Sequence, residues 1–248
     1  MTAAARAASG PAESGPFDDR VPDGLSASDW SSIRAVYEAN RHAAFPVAGG
    51  WQARNPGQQW ITRFDGRGFL TAPDSGEWSW GLELVSYGRA GSNGIVAPAS
   101  GRCDVAAPAC VEAAGGRVSY QWDDALTEWY VNDRRGLEHG YTVHRRPEVS
   151  RVEASAQHGC AARAEARGSL EEPLTFTLAV RGDLRPRVSG DGRNVTFVDQ
   201  SGAAVVTYVG LTVFDAAGRI VPAWFEAAGD EMSVDSNPLA HARGSADR

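Results

Sequence analysis

The sequence contains no lysine: every one of its 24 basic residues is arginine. That absence points to a GC-rich coding sequence and answers no physical need. The arginines are scattered and the net charge is −7, so the chain lacks the continuous basic stripe that neutralises nucleic-acid phosphates. A nucleic-acid partner is not expected. Apolar runs are strand-length, far short of the roughly 20 residues a membrane-spanning helix needs, and no membrane span is expected either. The opening MTAAARAASGPAESGP has small residues but no apolar core, so it is not a secretory signal as written. Cysteine is scarce. Of the three, Cys103 and Cys110 flank DVAAPA and would close a short surface loop as a disulfide in an oxidising compartment, or remain as thiols, and Cys160 is left over. No CxxC or Cys/His spacing provides for zinc, and SGDGRN offers one Asp without companion carboxylates, a poor calcium set. A GxSxG elbow, a Walker lysine and a strand-GxGxxG-helix context are all missing. No cofactor or metal is expected.

Turn chemistry, in contrast, is abundant, with 28 glycines and 13 prolines in 248 residues. From Met1 to Leu25 the chain is rich in Ala, Gly, Pro and Ser without periodicity, which predicts a flexible arm that adds nothing to the core. Ser28 is placed as the N-cap of a helix in which Trp30, Ile33, Val36 and Tyr37 recur at helical spacing; it should pack its apolar face on an edge or face of the downstream strands and end before Pro46. The period then changes to two. QWITRF, GFLTAP, WSWGLELVSYG, RVSYQWDD, TEWYVND and LEHGYTVHRR read as strands in hairpins, and from Leu174 a regular series of strands and Gly/Asp/Asn turns predicts an antiparallel meander. Residues 89–117 and 148–172 read as insert-like loops. The fold expected is mainly β: an antiparallel β-sandwich over residues 26–235, as one unit or two stacked β-subdomains, with one N-terminal helix. Residues 236–248 abandon the alternation and read as an irregular tail from truncation or a shifted frame, which would leave an exposed terminal edge strand.

The block LTEWYVNDRRGLEHGYTVHRRP, the later LAVRGDLRPRVSGDGRNVTFVDQSGAAVVTYVGLTVFDAAGRIVPAWFE and the upstream ARNPGQQWITRFDGRGFLTAP resemble the N-terminal β-rich region of bacterial surface proteins that carry FG-GAP, integrin-alpha-like, propeller repeats. Their layout is also similar to the domains that precede SBBP repeats. The resemblance implies a secreted or cell-surface module, extracellular, with a structural or adhesive role and a propeller domain as its following partner. NPLAHARGS stands where the family's junction to the propeller would be, and no DxDxDG repeat occurs, so the propeller's calcium chemistry does not carry over to these residues.

The residues for acid-base chemistry are His139, His144, Glu138, Asp123, Asp124, Glu128 and Asp133. Such work needs two titrating groups in one pocket, and strand alternation sets Glu138 and His139 on opposite faces. No enzyme is expected from them; the bland alternative is a polar strand face with Arg134 and Arg135 pairing nearby acids. Trp129, Tyr130, Leu137 and Tyr141 are expected to form the core of the hairpin, with Asn132, Asp133 and Gly136 shaping its turn. Trp78 and Trp80, two apart on one strand face, either join the core or form a stacking platform for a surface glycan. The second possibility would make the chain a carbohydrate-binding module.

Overall fold

Strand alternation governs the whole chain, because successive side chains leave a pleated backbone on opposite faces. The computed structural model describes residues 1–8, 20–89, 108, 110–145, 173–229 and 231–236. Its strands in chain order are β1 (Thr2–Ala7), β2 (Ala44–Val47), β3 (Gly50–Asn55), β4 (Trp60–Phe64), β5 (Phe69–Pro73), β6 (Trp80–Arg89), β7 (Cys110–Ala114), β8 (Arg117–Gln121), β9 (Leu126–Asp133), β10 (Gly136–Val143), β11 (Leu174–Gly182), β12 (Arg185–Val188), β13 (Val195–Val198), β14 (Ala204–Phe214), β15 (Ile220–Val221), β16 (Ala223–Ala228) and β17 (Glu231–Ser236), with one helix, α1 (Ala27–Asn40). They form two antiparallel sheets. The first runs β12-β13-β14-β1-β10-β9-β8-β7, with β15 paired to β14; the second runs β16-β17-β11-β6-β5-β4-β3-β2.

The inward faces of both sheets meet in one contiguous core. Trp60, Phe64, Phe69, Trp80, Leu82 and Leu178 come from the second sheet; Tyr120, Leu126, Tyr130, Leu137, Phe197 and Leu211 come from the first. Trp80 reaches across, its ring 4.8 Å from Phe197 and 5.0 Å from Phe69. Both lateral openings are laced by backbone hydrogen bonds between sheets. The Ala44 N–H donates to the Gly115 carbonyl at 2.8 Å on the β2/β7 side, and the Phe225 N–H donates to the Gly192 carbonyl at 2.7 Å on the β12/β16 side.

Several expectations are corrected. The supposed N-terminal arm contains β1, a central strand between β10 and β14. Its alanines give no apolar signal, and their small size is what fits the gap. Residues 9–19 lie outside the described residues. The helix begins earlier than expected: Ser26 is the cap, its Oγ accepting the Asp29 N–H at 3.1 Å. Ile33, Val36 and Tyr37 stay exposed, so the apolar stripe is not buried against the sheets. Within the expected loop 89–117, Cys110–Ala114 forms β7 by pairing with β8; residues 90–107 lie outside the described ones, as do 146–172. The series from Leu174 is no single meander. β11 lies in the second sheet, β12 to β14 in the first, and β16 and β17 return to the second. Strand β17 is therefore flanked by β16 and β11, so the last described strand is interior to its sheet and is not the exposed edge expected there. The tail from 237 onward lies outside the described residues.

Candidate functional site

Alternation along β9 and β10 turns Leu126, Glu128, Tyr130 and Asn132 inward from one strand and Leu137, His139 and Tyr141 inward from the next. The ladder pairs Tyr130 with His139 and Glu128 with Tyr141, so one carboxylate and one imidazole are carried into the core beside each other. Both are 1% exposed. His139 Nε2 lies 2.8 Å from Glu128 Oε1, which also accepts the Tyr141 hydroxyl at 2.7 Å. The Trp122 indole N–H donates to Glu128 Oε2 at 2.9 Å, and His139 Nδ1 lies 2.9 Å from the Tyr208 hydroxyl of β14. An indole nitrogen can only donate, so Glu128 acts as the common acceptor. The tautomer with its proton on Nε2 then satisfies every atom, with Nδ1 accepting from Tyr208.

Aromatic rings close over this network. Tyr130 stacks on the His139 ring at 4.8 Å, and Phe69 of the second sheet stands edge-on to it at 5.9 Å. Burial, and after it the Glu128 charge, drives the Tyr130, Tyr141 and Tyr208 phenols well above the usual tyrosine range. These hydroxyls hold their protons; that of Tyr141 donates to Glu128 and that of Tyr208 faces His139 Nδ1. Two surface cavities flank β1. One, about 280 Å³, is lined by residues that include Arg6, Asp133, Arg135 and Glu138; the other, about 360 Å³, by residues that include Tyr141, Phe176 and Phe214. Neither is lined by Glu128 or His139.

The remaining acid-base candidates disperse. Glu138 faces outward and accepts the Thr2 hydroxyl at 2.7 Å. Exposed His144 lies 2.9 Å from Thr127 Oγ1. Asp123 caps a turn through the Ala125 and Leu126 N–H groups and accepts from Tyr87, whose phenol is pushed up to about 12 by burial and then by the Asp123 charge. Asp124 pairs with Arg145. Asp133 accepts the Arg135 N–H at 2.7 Å and pairs with its guanidinium, the turn role expected for it. Asn132 does more than shape that turn. It is buried, accepts from Asn55 Nδ2 at 2.8 Å, and donates to the His42 and Arg54 carbonyls at 3.0 and 2.9 Å, clasping the two sheets together.

Tyr130, Leu137 and Tyr141 are core residues as expected, but Trp129 is not. Being adjacent to Tyr130, it must face outward, where its ring covers Gly140, donates to Thr142 at 3.2 Å and lies 4.6 Å from the Arg117 guanidinium. Trp80 is 0% exposed and Trp78 packs edge-on against Trp60 at 6.4 Å. A buried ring cannot stack on a sugar, so the Trp78/Trp80 platform is withdrawn. Cys110 is exposed on β7, and its suggested partner Cys103 lies outside the described residues. Sequence reading missed Trp122 and Tyr208 as network members; each shows only the alternation of its own strand region, and nothing local announces a shared acceptor. Among the described residues no cluster of His, Cys, Asp and Glu is arranged to hold a metal, and no helix is long and apolar enough to cross a membrane. Comparison of the chain with family models, with curated proteins and with solved structures gives no match.

Proposed function

We propose that this chain is a structural or adhesive β-sandwich module of a bacterial secreted or cell-surface protein, one that presents loops and outer faces to a neighbouring domain or a surface ligand. The observation that carries this reading is the closure of the Glu128–His139 network, in which every contacting polar atom is turned towards another protein group. A general base must reach its substrate's proton, and a saturated network in the core serves instead to fix which strands face one another. The surface setting comes from the resemblance of the WYVNDRRGLEHGY block. Exposed Phe214 and Ile220, 53% and 61% accessible and paired across β14 and β15, support a contact surface at that hairpin.

Diethyl pyrocarbonate labelling read by mass spectrometry tests the closure. His144, exposed in the same strand region, should label rapidly in the folded protein, and His139 only after unfolding. Native-state labelling of His139 at a rate near that of His144 would overturn the reading and return the pair to candidacy as an acid-base centre. The contact surface has its own test: Phe214→Ser with Ile220→Ser should leave the thermal melt unchanged and reduce saturable adhesion of protein-coated beads to bacterial cells.

A further inference from the structure

On the outer face of the first sheet the strand registers align side chains in rows. One row crosses Thr212 of β14, Thr2 of β1, Gly140 of β10 and Trp129 of β9; the next crosses Val209, Ala4, Glu138 and Val131. Thr2 and Ala4 are short, so they floor a trough between taller walls, and this trough is the cavity of about 280 Å³. A bulge shapes one wall. Between the two rows β14 takes three steps to the two of β1, with Gly210 at φ 79°, and a bulged strand bends at such a point. Gly140, opposite Thr2, has no side chain, and the half-buried Trp129 ring lies over it. That ring is held in place, its N–H donating to Thr142 at 3.2 Å and the Arg117 guanidinium standing 4.6 Å from its centre.

The charges of this face are sorted. Arg135 holds both acids of the trough, Asp133 at 2.7 Å and Glu138 at 3.5 Å, and Glu138 also accepts the Thr2 hydroxyl. These planar groups are fixed before any ligand arrives, which lowers the cost of binding one. Arg6 in the trough and Arg117 against the ring have no carboxylate partner among the described residues, so this face carries excess positive charge on a chain whose net charge is −7. A ligand that meets fixed acids, free arginines and an indole together must bring hydroxyl donors, a carboxylate and an apolar face. A uronic acid brings all three. We infer that this trough binds an acidic polysaccharide, with Arg6 taking a uronate carboxylate, Asp133 and Glu138 accepting sugar hydroxyls, and Trp129 packing on a ring face. The site lies on the opposite sheet from Trp78 and Trp80. It rests on the adhesive reading above, whose surface ligand it names by class.

The test is biolayer interferometry of the full chain on immobilised polygalacturonate, with dextran as a neutral glycan and polyglutamate as a polyanion without sugar rings. Saturable binding to polygalacturonate is expected, clearly stronger than to either control. Arg6→Gln should weaken it about tenfold, the loss of a charge-assisted pair, and Trp129→Ala about fivefold, the loss of a ring contact. Arg63→Gln, which removes an exposed charge from the second sheet, should leave it within about twofold. Arg6 is exposed, so Arg6→Gln keeps the fold and decides the matter if Trp129→Ala does not fold. The inference is overturned if polygalacturonate does not bind, if dextran or polyglutamate binds as well, if Arg6→Gln has no effect, or if Arg63→Gln weakens binding as much. Bead adhesion that depends on Phe214 and Ile220 without polygalacturonate binding would sink this ligand alone and leave the adhesive reading standing. Polygalacturonate binding through Arg6 with no bead adhesion would do the reverse for the Phe214 and Ile220 surface.

Discussion

Glu128 is the residue on which most of the buried polar chemistry converges, and its removal shows how much the core depends on it. Glu128→Ala strands the donors of Trp122, His139 and Tyr141 in an apolar interior, and should cost about 3–5 kcal/mol in urea unfolding. Glu138→Gln, one strand over on the wet face, should stay within about 0.5 kcal/mol. Asp65 offers a pH-dependent counterpart. Burial alone would raise its pKa, but hydrogen bonds from Arg181 and from the Arg67 N–H, with the charge of both arginines, outweigh that and hold it at about 2, below the ordinary 3.8. A carboxyl depressed in the folded state lends stability that is complete above its unfolded pKa and disappears as pH falls through the folded value. Between pH 5 and pH 2, urea midpoints of the wild-type protein should therefore fall more steeply than those of Asp65→Asn. Parallel curves would mean that the Asp65–Arg181 pair adds nothing. Alternation foretold the separation of Glu138 from His139. The meeting of Glu128 with His139 was not foretold, since it depends on the register of two strands.

Elements differ in how firmly they belong to the sandwich. β1 sits at the centre of its sheet yet depends on β10 leaving space for it. Gly136 has φ 130°, a conformation side chains rarely adopt, and its missing Cβ faces the Ala5 carbonyl. Gly136→Ala should cost about 2 kcal/mol or more. It should also accelerate amide exchange at Ala3–Ala7 more than in the second sheet, a pattern hydrogen-exchange mass spectrometry resolves. α1 is the opposite case. Its cap is well formed, but Val36 is 64% exposed, and Val36→Ser should leave the global unfolding midpoint within about 0.5 kcal/mol of wild type. A helical period in the sequence announced the helix correctly. It could not say whether Ile33 and Val36 would be buried, which depends on surfaces far away in the chain.

At the scale of the whole molecule, the two sheets share one core and should unfold together. Trp80 contacts both, through Phe69 and Phe197, so Trp80→Ala should cost about 3–5 kcal/mol, with tryptophan fluorescence and far-ultraviolet dichroism still tracing coincident transitions. Separate transitions would show instead that the sheets are independent subdomains. The sequence by itself determined the class of the fold, the position of most strands from Trp60 onward and the separation of Glu138 from His139 on opposite faces of β10. These are consequences of the two-residue period of an extended chain and the turn preferences of Gly, Asp and Asn, which are local properties. Only the tertiary structure decided that an alanine-rich segment becomes a central strand, that the strands after Leu174 divide between two sheets, that β17 is interior, and that Trp80, Tyr208 and Glu128 meet in one core. Strand order is set by which edges and pockets are complementary across the folded chain. A six-residue run of small side chains carries no trace of the slot that will receive it.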